Sequence, residues 1–217
     1  ALLAGGMFKI GRIPGIERPA LAPVLPGLKK NFMLIDCGAN VECTAEYLLQ
    51  FAYMGSYYAE KVLGRANPKV ALLNIGVEPS KGTSLQTTVY PMLQEASEAG
   101  RINFVGNVEG REALSGACDV LVCDGFTGNV MLKTIEGAAG FLMKELKDIL
   151  YANLPSKLAA LVLKPGLSKL KKMLDYKEVG GAPMLGISKT VVKAHGSSNG
   201  QAICNAVGQA IAFERSG

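Results

Sequence analysis

Residues 120–130 read VLVCDGFTGNV. An apolar run from Val120 to Cys123 meets Asp124-Gly125, then Thr127-Gly128-Asn129, and then turns apolar again. A run this short and continuous is expected to be a strand buried on both faces, and the residues from Thr127 onward a helix reaching toward Ile149. The handover between them carries an acid, a hydroxyl, an amide and two glycines. An Asp-Gly turn followed by a Thr or Asn cap accounts for such a composition. So does an anion site, where unpaired N–H groups and the helix dipole hold a phosphate that glycine allows to come close. No Walker or GxGxxG pattern decides between the two.

The same handover recurs along the chain. NFMLIDCGAN ends in Asp36, Gly38 and Asn40, and Thr44 opens a helix that Gly64 stops. PKVALLNIG ends at Asn74, and the loop VEPSKGT, with Glu78 and Lys81, leads into a helix to about Gly100. INFVGN is a further strand, with a short helix expected from Val108-Glu109. Four apolar strands alternating with helices predict an α/β fold with a mostly parallel sheet covered on both faces. Ligands of such sheets gather at the C-terminal strand ends. The polar groups Asp36/Asn40, Asn74/Glu78/Lys81, Asn107/Glu109 and Asp124/Thr127/Asn129 all fall there, which suggests one common site.

Composition narrows the classes. With 217 residues, 49% hydrophobic and 19% charged, the chain is globular and long enough for a substantial core. The net charge of +5 is modest, and neither zinc-finger spacing nor an RNA-binding aromatic signature supports a nucleic-acid partner. Five cysteines without CxxC spacing and a single histidine argue for buried thiols in a reducing cytoplasm, with no disulfide framework and no metal site. No apolar run reaches the ~20 residues of a spanning helix. The start, ALLAGGMFKIGRI, reads as a helix already under way without an initiator Met, so the chain is expected to be a piece of something longer.

The Pro-rich stretch PGIERPALAPVLPGL reads as an extended connection. The last third changes character. Residues 154–174 are expected as two short helices broken at Pro165-Gly166, within a protruding amphipathic segment over 151–178 of a single domain spanning 1–217. Leu161, Leu163, Leu167 and Leu170 accompany Lys169, Lys171 and Lys172, and five lysines without an acid lie between Lys157 and Lys172. A core-facing helix pair with a solvated lysine face fits this pattern. An interfacial segment, with leucines in lipid and lysines at anionic headgroups, fits it as well, and either could add a dimer contact. GGAPMLGIS and KTVVKAHGSSNG read as two strands, a hairpin across Ser188-Lys189, before a final helix from about Asn199. His195 stands before Gly196, Ser197 and Ser198 in a loop ahead of that helix, placed either for structure or for ligand contact.

Taken together, ALLAGGMFKIGRIPGIERPALAP, IDCGAN, YAEKVLG, VALLNIGVEPSKG, INFVGNVEGRE, DVLVCDGFTGNVMLKTIEG, LKPGLSKLKKMLDYKEVGGAPMLGI and KAHGSSNG resemble, in order and across the whole chain, the PlsX family of bacterial phosphate acyltransferases. That resemblance implies transfer of a long-chain fatty acyl group from acyl carrier protein to inorganic phosphate, the acyl phosphate then serving phospholipid synthesis. The alternatives are a phosphotransacetylase-like enzyme acting on short acyl-coenzyme A and a non-catalytic membrane scaffold for lipid-synthesis partners. The resemblance also implies a three-layer α/β/α sandwich similar to isocitrate and isopropylmalate dehydrogenases and to phosphotransacetylase, a homodimer, no cofactor, and a cytoplasmic protein bound peripherally to an anionic membrane surface. Family members extend further on the N-terminal side, so part of the sheet and of the site is expected outside this sequence.

The chemistry requires donors for phosphate, donors for the oxyanion and an acid for the leaving sulfur. Thr127, Gly128 and Asn129, with Asn74 and Lys81, are the candidates for holding phosphate and oxyanion, and Asn40 and Glu78 join them as substrate contacts. Asp124 is the candidate to orient or deprotonate phosphate, and His195 the candidate acid or ligand contact. The loop of Gly196, Ser197 and Ser198 is similar to the HGS loop that meets adenosine in the related dehydrogenases.

Overall fold

The computed structural model describes residues 2–174, 181–194, 196 and 198–215, with 171–174 traced as helix by backbone alone. In chain order the elements are α1 (Leu2–Gly5) with a π turn at Gly6–Ile10, β1 (Ala20–Leu21), β2 (Val24–Leu25), β3 (Phe32–Ile35), α2 (Ala45–Lys61), β4 (Lys69–Asn74), α3 (Ser84–Glu98) and β5 (Asn103–Glu109). There follow α4 (Gly110–Ser115), β6 (Val120–Val122), α5 (Gly125–Tyr151), α6 (Leu154–Leu174), β7 (Ala182–Leu185), β8 (Val192–Lys193) and α7 (Gly200–Arg215).

The mixed five-stranded sheet runs β2-β3-β6-β4-β5. Its four expected strands are parallel, with β6 central: Val120 pairs with Met33 on one side and Val70 on the other. Only β2 is antiparallel, at the edge. The period-two alternation of strands sorts the core into two halves. Met33, Ile35, Val70, Leu72, Val120 and Val122 pack with α2 and α3 on one face. Phe32, Leu34, Ala71, Leu73 and Leu121 point to the other, where Met131, Leu132 and Ile135 of α5 close over them. Every one of these strand residues is buried.

Local signals explain the helices beneath the sheet. Thr44 caps α2 through its side chain, and Leu48, Phe51, Ala52, Gly55 and Ala59 form its buried stripe. Gly55 is required there because a Cβ would lie 2.6 Å from Val120 Cγ1. A capping box of Thr83 and Gln86 starts α3, and Val89, Leu93 and Ala96 turn inward.

Four expectations need correcting. The Pro-rich connection holds β1 and β2, two-residue strands that Pro-spaced residues can pair without a long run. β1 joins a separate antiparallel sheet, β1-β7-β8, through Ala20↔Leu185, and the expected hairpin supplies its other two strands. The short helix starts at Gly110, because the ladder with β4 carries β5 on to Glu109. The helix expected from Thr127 starts two residues earlier, at Gly125, with Asp124 as its N-cap. Finally, α6 runs unbroken through Pro165. An interior proline costs a hydrogen bond and a clash, but strong helix formers on both sides and packing against α5 carry the helix through.

α6 packs chiefly on α5, and the pair leaves Leu154, Leu158, Leu161, Val162 and Leu163 exposed. Leu167 and Leu170 are half-buried and Lys169 is exposed, while the side chains of Lys171 and Lys172 lie outside the described residues. Among the described residues, no helix is long and apolar enough to cross a membrane.

Candidate active site

The ends of β3 and β6 are tied into one knot by a buried acid. Asp36, fully buried, accepts four hydrogen bonds: Oδ1 from the backbone N–H groups of Leu21 and Ala39, Oδ2 from the backbone and side-chain N–H groups of Asn40. Burial pushes its carboxyl above the usual carboxylate range, and the donated hydrogen bonds oppose that shift. The side-chain amide of Asn40 also reaches Pro19 O at 2.8 Å. Asn40 O in turn accepts from Gly125 N at 2.8 Å, which fixes the first residue of α5.

This contact explains the glycines of the DGFTGN stretch. A Cβ on Gly125 would lie 2.3 Å from Asn40 O, and one on Gly128 only 1.9 Å from Asp36 O. The space they leave is occupied by the backbone of residues 36–40. Asp124 caps α5: Oδ1 accepts from Thr127 N at 2.8 Å and Oδ2 from Thr127 Oγ1 at 2.7 Å. The expected cradle residues are thus brought together, but Gly125 N, Thr127 N and the Thr127 hydroxyl all donate within the protein. Gly38, with φ at +115°, turns the β3 loop so that it meets the Asn129 side chain.

One turn further along α5, a cavity of 240 Å³ opens. Leu21, Pro23, Val24, Leu25 and Leu132 make its apolar wall, Cys37 contributes from the β3 loop, and Asn129, Lys133, Glu136, Lys193 and Gly196 add polar atoms. Asn129 comes from the DGFTGN stretch and Gly196 from the HGSS loop, so two sequence-flagged segments meet here. Lys133 and Glu136 pair at 2.7 Å. Burial pushes the Cys37 thiol well up, the charges of Asp36 and Glu136 push it further, and Lys193 opposes them. Cys43, half-buried near the α5 start, is pushed to about 11, chiefly by burial.

The β4 and β5 ends form a second group, none of which lines this cavity. The Asn74 amide donates to Lys81 O at 2.9 Å, and its Oδ1 accepts from Ile75 N. Glu78 and Lys81 are exposed. The buried Asn107 amide donates to Glu78 O at 2.8 Å, while its Oδ1 meets no partner. Ser198 is half-buried and does not line the cavity, and His195 and Ser197 lie outside the described residues. Sequence reasoning missed Lys133, Glu136 and Lys193. The first two were findable, because Asn129, Leu132, Lys133 and Glu136 stand at the i, i+3, i+4, i+7 spacing of a single helix face. Lys193 sits in a two-residue strand too short to show an alternation.

Solved structures of similar architecture include phosphotransacylases. A phosphotransacetylase from Streptococcus pyogenes aligns with a TM-score of 0.56 at 16% identity, over 96% of this chain and 58% of its own. A branched-chain phosphotransacylase from Enterococcus faecalis V583 aligns at 0.54 and 18%, over 89% and 64%. The fold is therefore a mixed α/β fold of the phosphotransacylase type. The chain matches the family described as "Fatty acid synthesis protein" over residues 1–217, and it belongs to that family. It is 56% identical over 213 residues to a phosphate acyltransferase of Alkaliphilus oremlandii and 52% over 214 residues to one of Brevibacillus brevis, in each case across 98% of this chain. It spans 62% and 63% of the length of those two relatives.

Proposed function

We propose that the complete protein transfers a long-chain fatty acyl group from acyl carrier protein to inorganic phosphate. A phosphate oxygen attacks the thioester carbonyl carbon, the C–S bond breaks, and the thiolate leaves with a proton to give acyl phosphate and free carrier protein. Family membership and the names of the relatives support the reaction class. The observation that carries the reading is the meeting of Asn129 and Gly196 at a largely apolar cavity with a charged side. An acyl thioester and an anion need such a pairing of surfaces. In this reading Asp124 positions α5, and so Asn129, by capping; Asn40 and Gly128 hold the same junction. His195, Ser197 and Ser198 act from the loop beside Gly196, and Asn74, Glu78 and Lys81 serve substrate from the neighbouring strand ends.

The same proposal includes the three-layer sandwich of the related dehydrogenases, a homodimer and a cytoplasmic protein resting on an anionic membrane. The α5–α6 pair supports the last point. Its groove of 890 Å³ is lined by Leu146, Leu150, Leu158 and Leu161 and edged by Lys144, Lys147, Lys157 and Lys164, a combination suited to acyl chains and anionic headgroups. Incubating the complete protein with inorganic phosphate and long-chain acyl carrier protein should yield acyl phosphate. Folded protein that forms none, or that forms it only from short acyl-coenzyme A, refutes the reading.

A further inference from the structure

We propose that Lys193 on β8 is the cation that binds a phosphoryl group in the 240 Å³ cavity. This assignment rests on the acyl-phosphate reading and adds to it a residue outside the candidate site residues read from the sequence.

Among the described residues, three charged side chains line the cavity, Lys133, Glu136 and Lys193. Lys133 and Glu136 neutralise one another at 2.7 Å. Lys193 has no ion pair or side-chain hydrogen bond among the described residues, so the lining carries one unopposed positive charge beside an apolar wall. Its field reaches the floor: Lys193 acts on the buried Cys37 thiol against Asp36 and Glu136. The lysine also stands on a fixed base. β8 pairs with β7 through Ala182↔Lys193, and Gly181 lies so close that a Cβ there would be 2.9 Å from Lys193 O and 2.4 Å from Val192 Cγ1.

The other expected anion sites are less available. At the α5 start, Gly125 N donates to Asn40 O and Thr127 N to Asp124. Lys81 is exposed on a loop outside the cavity. Asn129 lines the same cavity, where its amide can donate to the anion, and the wall of Leu21, Val24, Leu25 and Leu132 suits the first methylenes of an acyl chain. An ammonium acts on phosphate as a point charge, which demands little geometry of an exposed side chain. The ligand class is therefore a phosphoryl group, and inorganic phosphate and acyl phosphate share that chemistry.

The test is ³¹P NMR line broadening of inorganic phosphate by the complete protein, compared across Lys193→Gln, Lys193→Arg, Glu136→Gln and the remote control Lys189→Gln, each verified as folded by circular dichroism. Lys193→Gln should weaken phosphate binding roughly tenfold or more, the loss expected for one charge-assisted hydrogen bond. Lys193→Arg should retain most of the affinity and Lys189→Gln all of it. Glu136→Gln should tighten binding by releasing Lys133, an outcome a merely structural role would not produce. Wild-type affinity in Lys193→Gln, or no broadening by the wild type, overturns the assignment. Acyl phosphate formed while Lys193→Gln binds phosphate normally sinks this inference alone. Phosphate bound through Lys193 without any acyl phosphate sinks the functional reading and leaves the inference standing. Repeating the series with an acyl phosphate as competitor distinguishes the two ligands.

Discussion

Two glycine-to-alanine changes on α5 should move stability in opposite directions. At Gly128 the new Cβ would lie 1.9 Å from Asp36 O, 2.8 Å from Cys123 Sγ and 3.0 Å from Asp36 C. Two of these neighbours are backbone atoms of a fully buried residue that four donors hold in place. To restore an ordinary contact, the helix start must retreat by about 1.5 Å, which also strains the Gly125–Asn40 hydrogen bond. Overpacking of this kind costs about 1–3 kcal/mol, and with no flexible side chain to absorb it the upper end applies. Gly140 lies on the same helix, exposed, with nothing within 4 Å of its would-be Cβ. Alanine there should add about 0.5–1 kcal/mol through backbone entropy and helix propensity. Urea denaturation followed by circular dichroism reads both. At a slope near 3 kcal/mol/M, Gly128→Ala should lower the midpoint by about 1 M, and Gly140→Ala should raise it slightly. A Gly128→Ala midpoint equal to the wild type, or two variants shifted alike, would refute the close approach of α5 to the β3 end.

Other outcomes can be checked alongside. Asp36→Asn places an amide against donors that now meet a carboxylate, so it should destabilise by more than about 2 kcal/mol in denaturant titration. Because the folded carboxyl of Asp36 lies above its ordinary 3.8, the native state holds the proton more tightly, and that contribution is complete below pH 3.8 and lost as pH rises through the raised value. The wild-type advantage over Asp36→Asn should therefore shrink with rising pH across that window; an advantage that grows would contradict it. Among the cysteines, Cys204 is exposed while burial pushes Cys43 to about 11 and Cys118 to about 12. Site-resolved alkylation of the native protein near neutral pH should mark Cys204 first, and Cys118 labelled as fast would overturn that ranking. Pro165→Ala should stabilise α6 by about 1–3 kcal/mol, with a melting temperature that rises; a fall would mean that the helix bends there by need.

Much of the architecture was legible because the main sheet writes itself in short apolar runs. VLV, FMLI and VALL are buried on both faces, and each hands over to a polar loop at the C-terminal edge of the sheet. What escaped was information that no single stretch contains. The strands β1 and β2 are two residues each, too short for any periodicity to mark them, and β1 exists only through a partner far along the chain. The continuity of α6 across Pro165 depends on packing against α5, which overrides a local breaker. At the candidate site, the DGFTGN stretch marked the β6–α5 junction but not which atoms fill the space its glycines leave. Glycine beside a helix start fits an approaching phosphate and an approaching backbone equally well, and only the position of the Asp36–Asn40 turn separates the two.

That packing has a consequence for how acyl transfer would be organised. The knot of Asp36, Asn40, Gly125 and Gly128 spends both Asp36 carboxylate oxygens and the Asn40 amide nitrogen within the protein, and these contacts fix the start of α5 relative to β3. The next turn of that helix presents Asn129 to the cavity, with Lys133 and Glu136 following on the same face. A donor that must meet charge developing on a carbonyl oxygen works only if its position is fixed beforehand, because reorganisation during the reaction would consume the stabilisation it offers. A buried acid with four donors and two glycines without room for a methyl group are the means of such fixing. The residue most tempting as a catalyst from sequence, Asp124, spends both oxygens on Thr127 and so belongs with the fixing groups. Asp124→Asn should then leave phosphate affinity within about twofold. It would weaken helix capping by about 1 kcal/mol, because the amide nitrogen cannot accept the Thr127 hydroxyl. A loss of all activity with stability unchanged would return Asp124 to the chemistry.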